Sequence, residues 1–306
     1  MTLEQLRIFV AVAEREHMTR AADALNITQS AASAAIRALE NRHEVALFHR
    51  VGRRIELTPS GRVFLDEARA VLARAAAAER VLAEMGGLGR GTLTVQASQT
   101  IASYWLPARL VRFRAAFPGI DVELAVGNTA QVARGVADGA AELGFVEGAV
   151  DDPLLAQETV GWDRMALVAA PGHPWTLTAD LPPAGLADGP WILREPGSGT
   201  RSVFEAALAG FGVDRRRLRV AFELPSNEAV RAAVVAGGGV TVLSELVAER
   251  DLRAGTLVRV PVPFPDRPFY ALSHRERTRS RAAAAFLAAL VTGSQGEGPA
   301  GGARPF

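Results

Sequence analysis

The chain has 306 residues, enough for two or three domains, and 49% of them are apolar, which is sufficient for buried cores. Its formal charge is +1, with 34 basic residues, every one an arginine, against 33 acidic ones; that balance excludes a uniformly basic nucleic-acid binder while leaving local patches open. There is no cysteine, so disulfides, thiolate metal sites and thiol redox sensing are excluded for this chain.

The first ten residues, MTLEQLRIFV, carry Glu4 and Arg7 inside their apolar pattern, which does not suit a signal peptide. No uncharged apolar run approaches the ~18–20 residues of a membrane span. A soluble cytoplasmic protein with no membrane contact is expected. Thr2 and Gln5 make a capping box for a first helix, with Leu6, Phe9, Val10 and Ala13 as its core stripe.

From Met18 to Glu40 the pattern is two short helices joined by a sharp turn. Thr19 can cap the first, whose apolar side is Ala21, Ala22 and Leu25. Asn26-Ile27-Thr28 breaks the pattern, and a second helix starts at Gln29. Its Ala32, Ala35, Ile36 and Leu39 recur at helical spacing and should pack inward, leaving Gln29, Ser30, Ser33 and Arg37 outside. Short polar side chains admit close approach to a groove, and amide, hydroxyl and guanidinium groups read base edges or grip phosphate. Thr28, Gln29, Ser30, Ser33 and Arg37 are therefore candidate DNA contacts, the alternative being an ordinary amphipathic hairpin.

Val45–Phe48 and Ile55–Thr58 read as two strands around a tip carrying Arg50, Arg53 and Arg54. Those three arginines suit a wing along a phosphate backbone, where cations supply affinity without sequence information; a solvated charged hairpin is the other reading. From Ser60 a long helix places Phe64, Ala68, Val71, Ala75, Ala78, Leu82 and Met85 at heptad spacing, a seam for dimerisation or a face packed on its own domain. Gly86-Gly87-Leu88-Gly89-Arg90-Gly91 is a flexible joint. The expected domains are 1–62, a 63–91 linker helix and hinge, 92–292, and a Gly/Pro-rich disordered tail at 293–306.

Beyond Thr92 strands and helices alternate, which argues for an α/β region with parallel sheets. Strands are expected at 93–97, 120–126, 143–146, 164–170, 191–193, 219–223, 240–243 and 269–273, with helices at 101–117, 130–138, 201–210, 228–236 and 280–291. The last strand and helix would return to the first series, giving one lobe from about 92–162 plus 267–292 and a second from about 163–266. Four strand-to-helix junctions share one chemistry: Ser98-Gln99-Thr100, Asn128-Thr129, Ser198-Gly199-Thr200-Arg201 and Ser226-Asn227. Helix N-termini offer unpaired N–H groups outside the carboxyl ends of the strands, and Arg201 adds a charge that can fork onto an oxyanion. Ser98, Gln99, Thr100, Asn128, Ser198, Gly199, Thr200, Arg201, Ser226 and Asn227 are thus candidate anion-binding residues, although any one junction is explained by capping alone. Glu147 would repel an anion and is left out. Five scattered histidines lack ligand spacing, and no metal or cofactor is expected.

The chain resembles the LysR-type transcriptional regulators over all but its tail. Thr19, Ala21, Ala22, Leu25, Gln29, Ser30, Ala31, Ser33, Ile36, Leu39 and Glu40 stand where that family's helix-turn-helix pattern has them, and Leu47-Phe48-His49-Arg50 and Leu57-Thr58-Pro59-Ser60-Gly61 continue it. The resemblance implies an all-α winged helix-turn-helix domain, a dimerising linker helix and a two-lobed α/β effector domain like periplasmic binding proteins. It further implies double-stranded promoter DNA as partner, assembly as a homodimer or homotetramer, RNA polymerase as a further candidate partner, and no enzymatic role. Trp191–Arg201 and Ser226–Val230 look like the branch responding to sulfite or to metabolites of carbon fixation, so a sulfur oxyanion or phosphorylated metabolite is the expected small anionic effector. One departure stands out: the family usually has Leu-Gly where this chain has His43-Glu44. A solute-binding receptor is the alternative function; an enzyme is disfavoured because Ser198 has no activating base placed near it in sequence.

Overall fold

The computed structural model describes residues 1–51, 54–84, 91–178 and 181–293. The chain separates into two compact units, one holding Met1–Met85 with Asp138–Ala140 and the other Gly86–Ala137 with Ala141–Phe306. Residues 86–90 of the expected glycine joint, Arg53, Met85 and the tail from 294 lie outside the described residues, while Gly91 begins a strand.

In the first unit α1 (Leu3–Arg15) starts with the capping box read from sequence: Gln5 N donates to Thr2 Oγ1 at 3.2 Å and Thr2 N to Gln5 Oε1 at 3.0 Å. Helix α2 (Met18–Ala24) is capped by His17, whose Nδ1 accepts from Arg20 N, and not by Thr19 as expected; Thr19 lies inside the first turn. Thr28 caps α3 (Gln29–His43), accepting from Ala31 N at 3.2 Å. Ala32, Ile36 and Leu39 are buried with Leu6, Phe9, Val12, Ala21 and Ala22, so the three helices share one core.

Strands β1 (Phe48–Val51) and β2 (Arg54–Leu57) pair antiparallel. The first strand thus starts three residues later than expected, because Val45 and Ala46 serve the backbone connections: Thr58 Oγ1 donates to Ala46 O at 2.8 Å, and Glu40 Oε1 accepts from Leu47 N and Phe48 N. Thr58 Oγ1 also accepts from Gly61 N, starting α4 (Pro59–Glu84). A Cβ at Gly61 would sit 2.1 Å from Leu47 O, which is why glycine closes Leu57-Thr58-Pro59-Ser60-Gly61.

The second unit contains two five-stranded sheets. One has the order β4 (Ile120–Gly127), β3 (Gly91–Ser98), β5 (Leu143–Glu147), β12 (Arg267–His274), β6 (Leu155–Asp163); the other has the order β11 (Val258–Pro263), β7 (Met165–Ala169), β10 (Val240–Ser244), β8 (Pro190–Arg194), β9 (Arg219–Leu224). The sheets are mixed, which corrects the all-parallel expectation: β12 runs antiparallel to β5 and β6, and β7 antiparallel to β10 and β11. The chain crosses between sheets twice, from β6 into β7 and from β11 into β12. Around the parallel cores lie α5 (Leu106–Ala116, entered through a π turn at Ile101–Trp105), α6 (Thr129–Asp138) and α10 (Arg281–Gly293) in the first lobe. Helices α7 (Gly199–Gly210), α8 (Asn227–Val235) and α9 (Glu245–Ala254) belong to the second. Each lobe buries side chains on both sheet faces, as a doubly covered sheet requires.

Candidate DNA interface and interlobe site

Helix α3 presents Thr28, Gln29, Ser30 and Arg37 to solvent, with Ser33 half-buried between them. Arg37 Nη1 donates to Ser33 Oγ at 3.1 Å, which holds the guanidinium along the exposed face. Thr28 Oγ1 lies 3.0 Å from Ser30 Oγ, so the first turn offers hydroxyls already oriented by the cap. Arg50 and Arg54 sit on the paired strands near the wing tip, in the register Arg50↔Ile55 and Val51↔Arg54. At the end of α3 Glu44 takes a left-handed conformation, φ 53° and ψ 35°, which glycine adopts without strain.

Of the heptad seam, Phe64 and Ala68 belong to the core of their own unit. The Phe64 ring centroid is 4.8 Å from that of Phe9, and Ala68 is buried. Val71 and Ala78 are exposed and Ala75 is half-buried. The first turns of the apolar stripe therefore anchor the helix to its own unit, while Val71 and Ala78 further along stay exposed. Leu82 lies within α4.

In the second unit the four polar junctions come together between the lobes. Asn227, 1% exposed at the start of α8, donates from its backbone N to Gln99 Oε1 and from Nδ2 to Thr100 Oγ1, both at 3.0 Å; Gln99 Nε2 returns a bond to Pro225 O. On the other side Asn128 Nδ2 donates to Glu195 Oε1 at 3.2 Å, and Ala130 N, in the first turn of α6, donates to Gly197 O. Gly199 opens α7 so close to β5 that a Cβ there would lie 2.4 Å from Glu147 O and 2.5 Å from Thr129 Oγ1.

Arg194, absent from the sequence expectations, stands at the centre. It ends β8, is 4% exposed, and donates from Nε and Nη2 to the two oxygens of Glu195 and from Nη1 to Asn227 Oδ1 at 2.6 Å. Arg201 has a different position from the one its place at a helix start suggested. Its guanidinium pairs with Glu205 and Glu223 and donates to Arg194 O at 3.0 Å, so its charge is committed and it props the Arg194 backbone. Ser226 is used as a cap, accepting from Ala229 N, and Thr200 Oγ1 accepts from Arg267. Ser98, 3% exposed, has a hydroxyl with no partner among the described residues, and Ser198 starts α7 without a side-chain cap bond. One buried hydroxyl, that of Ser98, thus stands uncommitted among the described residues.

Behind this locus the two crossovers are tied by Arg267, the first residue of β12 and 1% exposed. Its Nε donates to Asp163 Oδ2 at 2.8 Å, and Nη2 lies 2.7 Å from the same oxygen, close enough to pair but out of line for a hydrogen bond. Nη1 reaches Thr200 at the start of α7, and Glu147 lies 3.8 Å away. Ser244 Oγ donates to Asp163 Oδ1 at 2.7 Å. Burial pushes the Asp163 carboxyl above the usual carboxylate range, while Arg267 and Ser244 pull it back. One guanidinium thus joins the end of β6, the start of β12 and the start of α7.

A helical unit with a wing-like hairpin, and a two-lobed α/β unit whose polar helix starts meet between the lobes, define a DNA-binding regulator with a ligand-binding domain. Residues 3–62 match the bacterial regulatory helix-turn-helix protein, lysR family, and residues 86–295 match the LysR substrate binding domain. The chain belongs to the LysR family of transcriptional regulators. It is 36% identical over 289 residues to the HTH-type transcriptional regulator YeiE of Escherichia coli strain K12, covering 94% of this chain and 96% of that one. It is 33% identical over 293 residues to the probable RuBisCO transcriptional regulator of Synechocystis sp. PCC 6803, covering 94% and 84%. The regulatory domain of Synechocystis PCC6803 CcmR, solved in complex with 2-PG, is 27% identical with a TM-score of 0.61, covering 67% of this chain and 97% of that domain. Among the described residues no helix is long and apolar enough to cross a membrane.

Proposed function

We propose that this regulator's promoter binding is controlled by a small anionic effector held between the lobes of its second unit, and that the effector carries a phosphate or a similar oxyanion. The observation that carries this is the meeting of four polar helix starts around a buried guanidinium, with the buried hydroxyl of Ser98 uncommitted among the described residues and Ser198 making no cap bond. Helix N-termini and an arginine fork both favour oxyanions. The names of the relatives support a phosphorylated metabolite: a RuBisCO regulator and a CcmR domain in complex with 2-PG. Contact with DNA falls to Thr28, Gln29, Ser30, Ser33 and Arg37 on α3, and to Arg50, Arg53 and Arg54 of the wing. Val71, Ala75, Ala78, Leu82 and Met85 form the seam between copies of the chain in a homodimer or homotetramer in the cytoplasm.

Thermal unfolding of the full chain in sulfite, sulfate, phosphate and 2-PG tests the effector. A ligand at ~100 times its dissociation constant stabilises the folded state by about 2.7 kcal/mol, and at least one of the four should raise the midpoint of the second unit by several degrees. No shift with any of them refutes the anion reading.

A further inference from the structure

Resting on the effector reading above, we infer that Glu195 is a built-in counter-ion: its carboxylate occupies the position on Arg194 that the effector's oxyanion takes, and binding is an exchange of one for the other. The two oxygens of Glu195 face Nε and Nη2 of Arg194 at 2.7 and 2.9 Å, the two-point geometry with which a guanidinium holds any carboxylate or phosphate. Those two donors form the free edge of the group. The remaining Nη1 is fixed to Asn227, and Asn227 is itself fixed to Thr100 across the lobes. The edge that Glu195 holds offers an incoming anion a bidentate contact on Arg194 that leaves the Asn227 bond in place.

The charge balance points the same way. Arg201 is neutralised by Glu205 and Glu223, and Arg267 by Asp163 with Glu147 close behind. With Glu195 in place, Arg194 is neutralised too, and an anion entering the cleft would meet a compensated pair. Displacing Glu195 restores a net attraction. Glu195 is able to leave, because its side chain is 24% exposed where that of Arg194 is 4%, so the carboxylate can swing toward water while the guanidinium stays.

The exchange has a structural consequence. Glu195 is also the acceptor for Asn128 Nδ2, a contact between lobes. When the carboxylate leaves, Asn128 at the start of α6 is released and can donate to the same oxyanion. Occupancy at Arg194 is then coupled to the contact between the lobes, and Glu195 sets the selectivity: the effector must present two oxygens on one charged centre, so a halide or an uncharged sugar cannot replace the carboxylate.

The test is calorimetric titration of the full-length wild type and Glu195→Gln with inorganic phosphate, sulfate, 2-PG and chloride, followed by a crystal structure of the wild type with the tightest oxyanion. Gln keeps the size and can still accept from Asn128, but it no longer neutralises Arg194. Oxyanion affinity should rise at least about tenfold in Glu195→Gln, equivalent to ~1.4 kcal/mol, while chloride stays unbound. In the wild-type complex Arg194 Nε and Nη2 should face the ligand, with Glu195 turned away. Equal or weaker oxyanion binding by Glu195→Gln, or a wild-type complex in which Glu195 still forks onto Arg194, overturns the exchange while leaving the effector reading intact. If neither protein binds any of the oxyanions, the effector reading itself falls.

Discussion

Replacing Arg267 with methionine removes a cation that ties both crossovers, while keeping an unbranched side chain in its place. Asp163 would lose its Nε bond and its ion pair, Thr200 its donor and Glu147 the cation 3.8 Å away, all within a fully buried site. Breaking a buried pair by removing one partner typically costs about 3–5 kcal/mol. For a unit of this size each kcal/mol moves the midpoint by roughly 2–4 °C, so the second unit should melt ~6–20 °C lower at pH 8. The deficit should shrink as pH falls. Burial already raises the Asp163 carboxyl, and losing Arg267 removes the largest opposing influence, so the folded state holds that proton to higher pH than the unfolded chain does. A group raised in this way favours folding below its unfolded value and loses that contribution as pH rises through its folded value. Thermal and urea unfolding at pH 8 and pH 5 provide the comparison. A loss below ~1 kcal/mol at pH 8, or a deficit that grows toward pH 5, refutes the account of the crossover clamp.

Other outcomes follow from the first unit. Glu44→Gly removes a left-handed non-glycine residue and a carboxylate from the C-terminal end of α3, and should stabilise that unit by about 1 kcal/mol in urea unfolding; a loss of stability contradicts it. Arg37→Ala, on the exposed face of α3, should weaken promoter binding by about 1–3 kcal/mol in fluorescence anisotropy, and an unchanged affinity removes α3 from the interface.

The parts of the fold that sequence displayed are those governed by local rules. The capping box at Thr2, the apolar spacing of Ala32, Ile36 and Leu39, and the hydroxyl and amide residues opening α6, α7 and α8 all act within one turn of themselves. Strand β6 escaped notice because Gln157, Glu158 and Thr159 interrupt any alternation; its place is set by pairing with β12, more than a hundred residues on. Strand β11 was hidden by Arg259, Pro261 and Pro263. At the interlobe site the junctions were legible, but the charges were not. Arg201 looked available until Glu223 paired with it, and Arg194 acquires its role from Asn227, which the fold brings to it from another helix. Arg267 and Asp163 are 104 residues apart, and only the double crossover places them together.

The most direct measurement is a calorimetric titration of the wild type and Arg194→Met with whichever oxyanion most raises the melting temperature. If the oxyanion is held at the meeting point of the four helix starts, losing the guanidinium should weaken binding at least ~10-fold, the minimum for a charge-assisted contact worth about 1.5–3 kcal/mol. Undiminished affinity in Arg194→Met would place the ligand elsewhere and contradict the account.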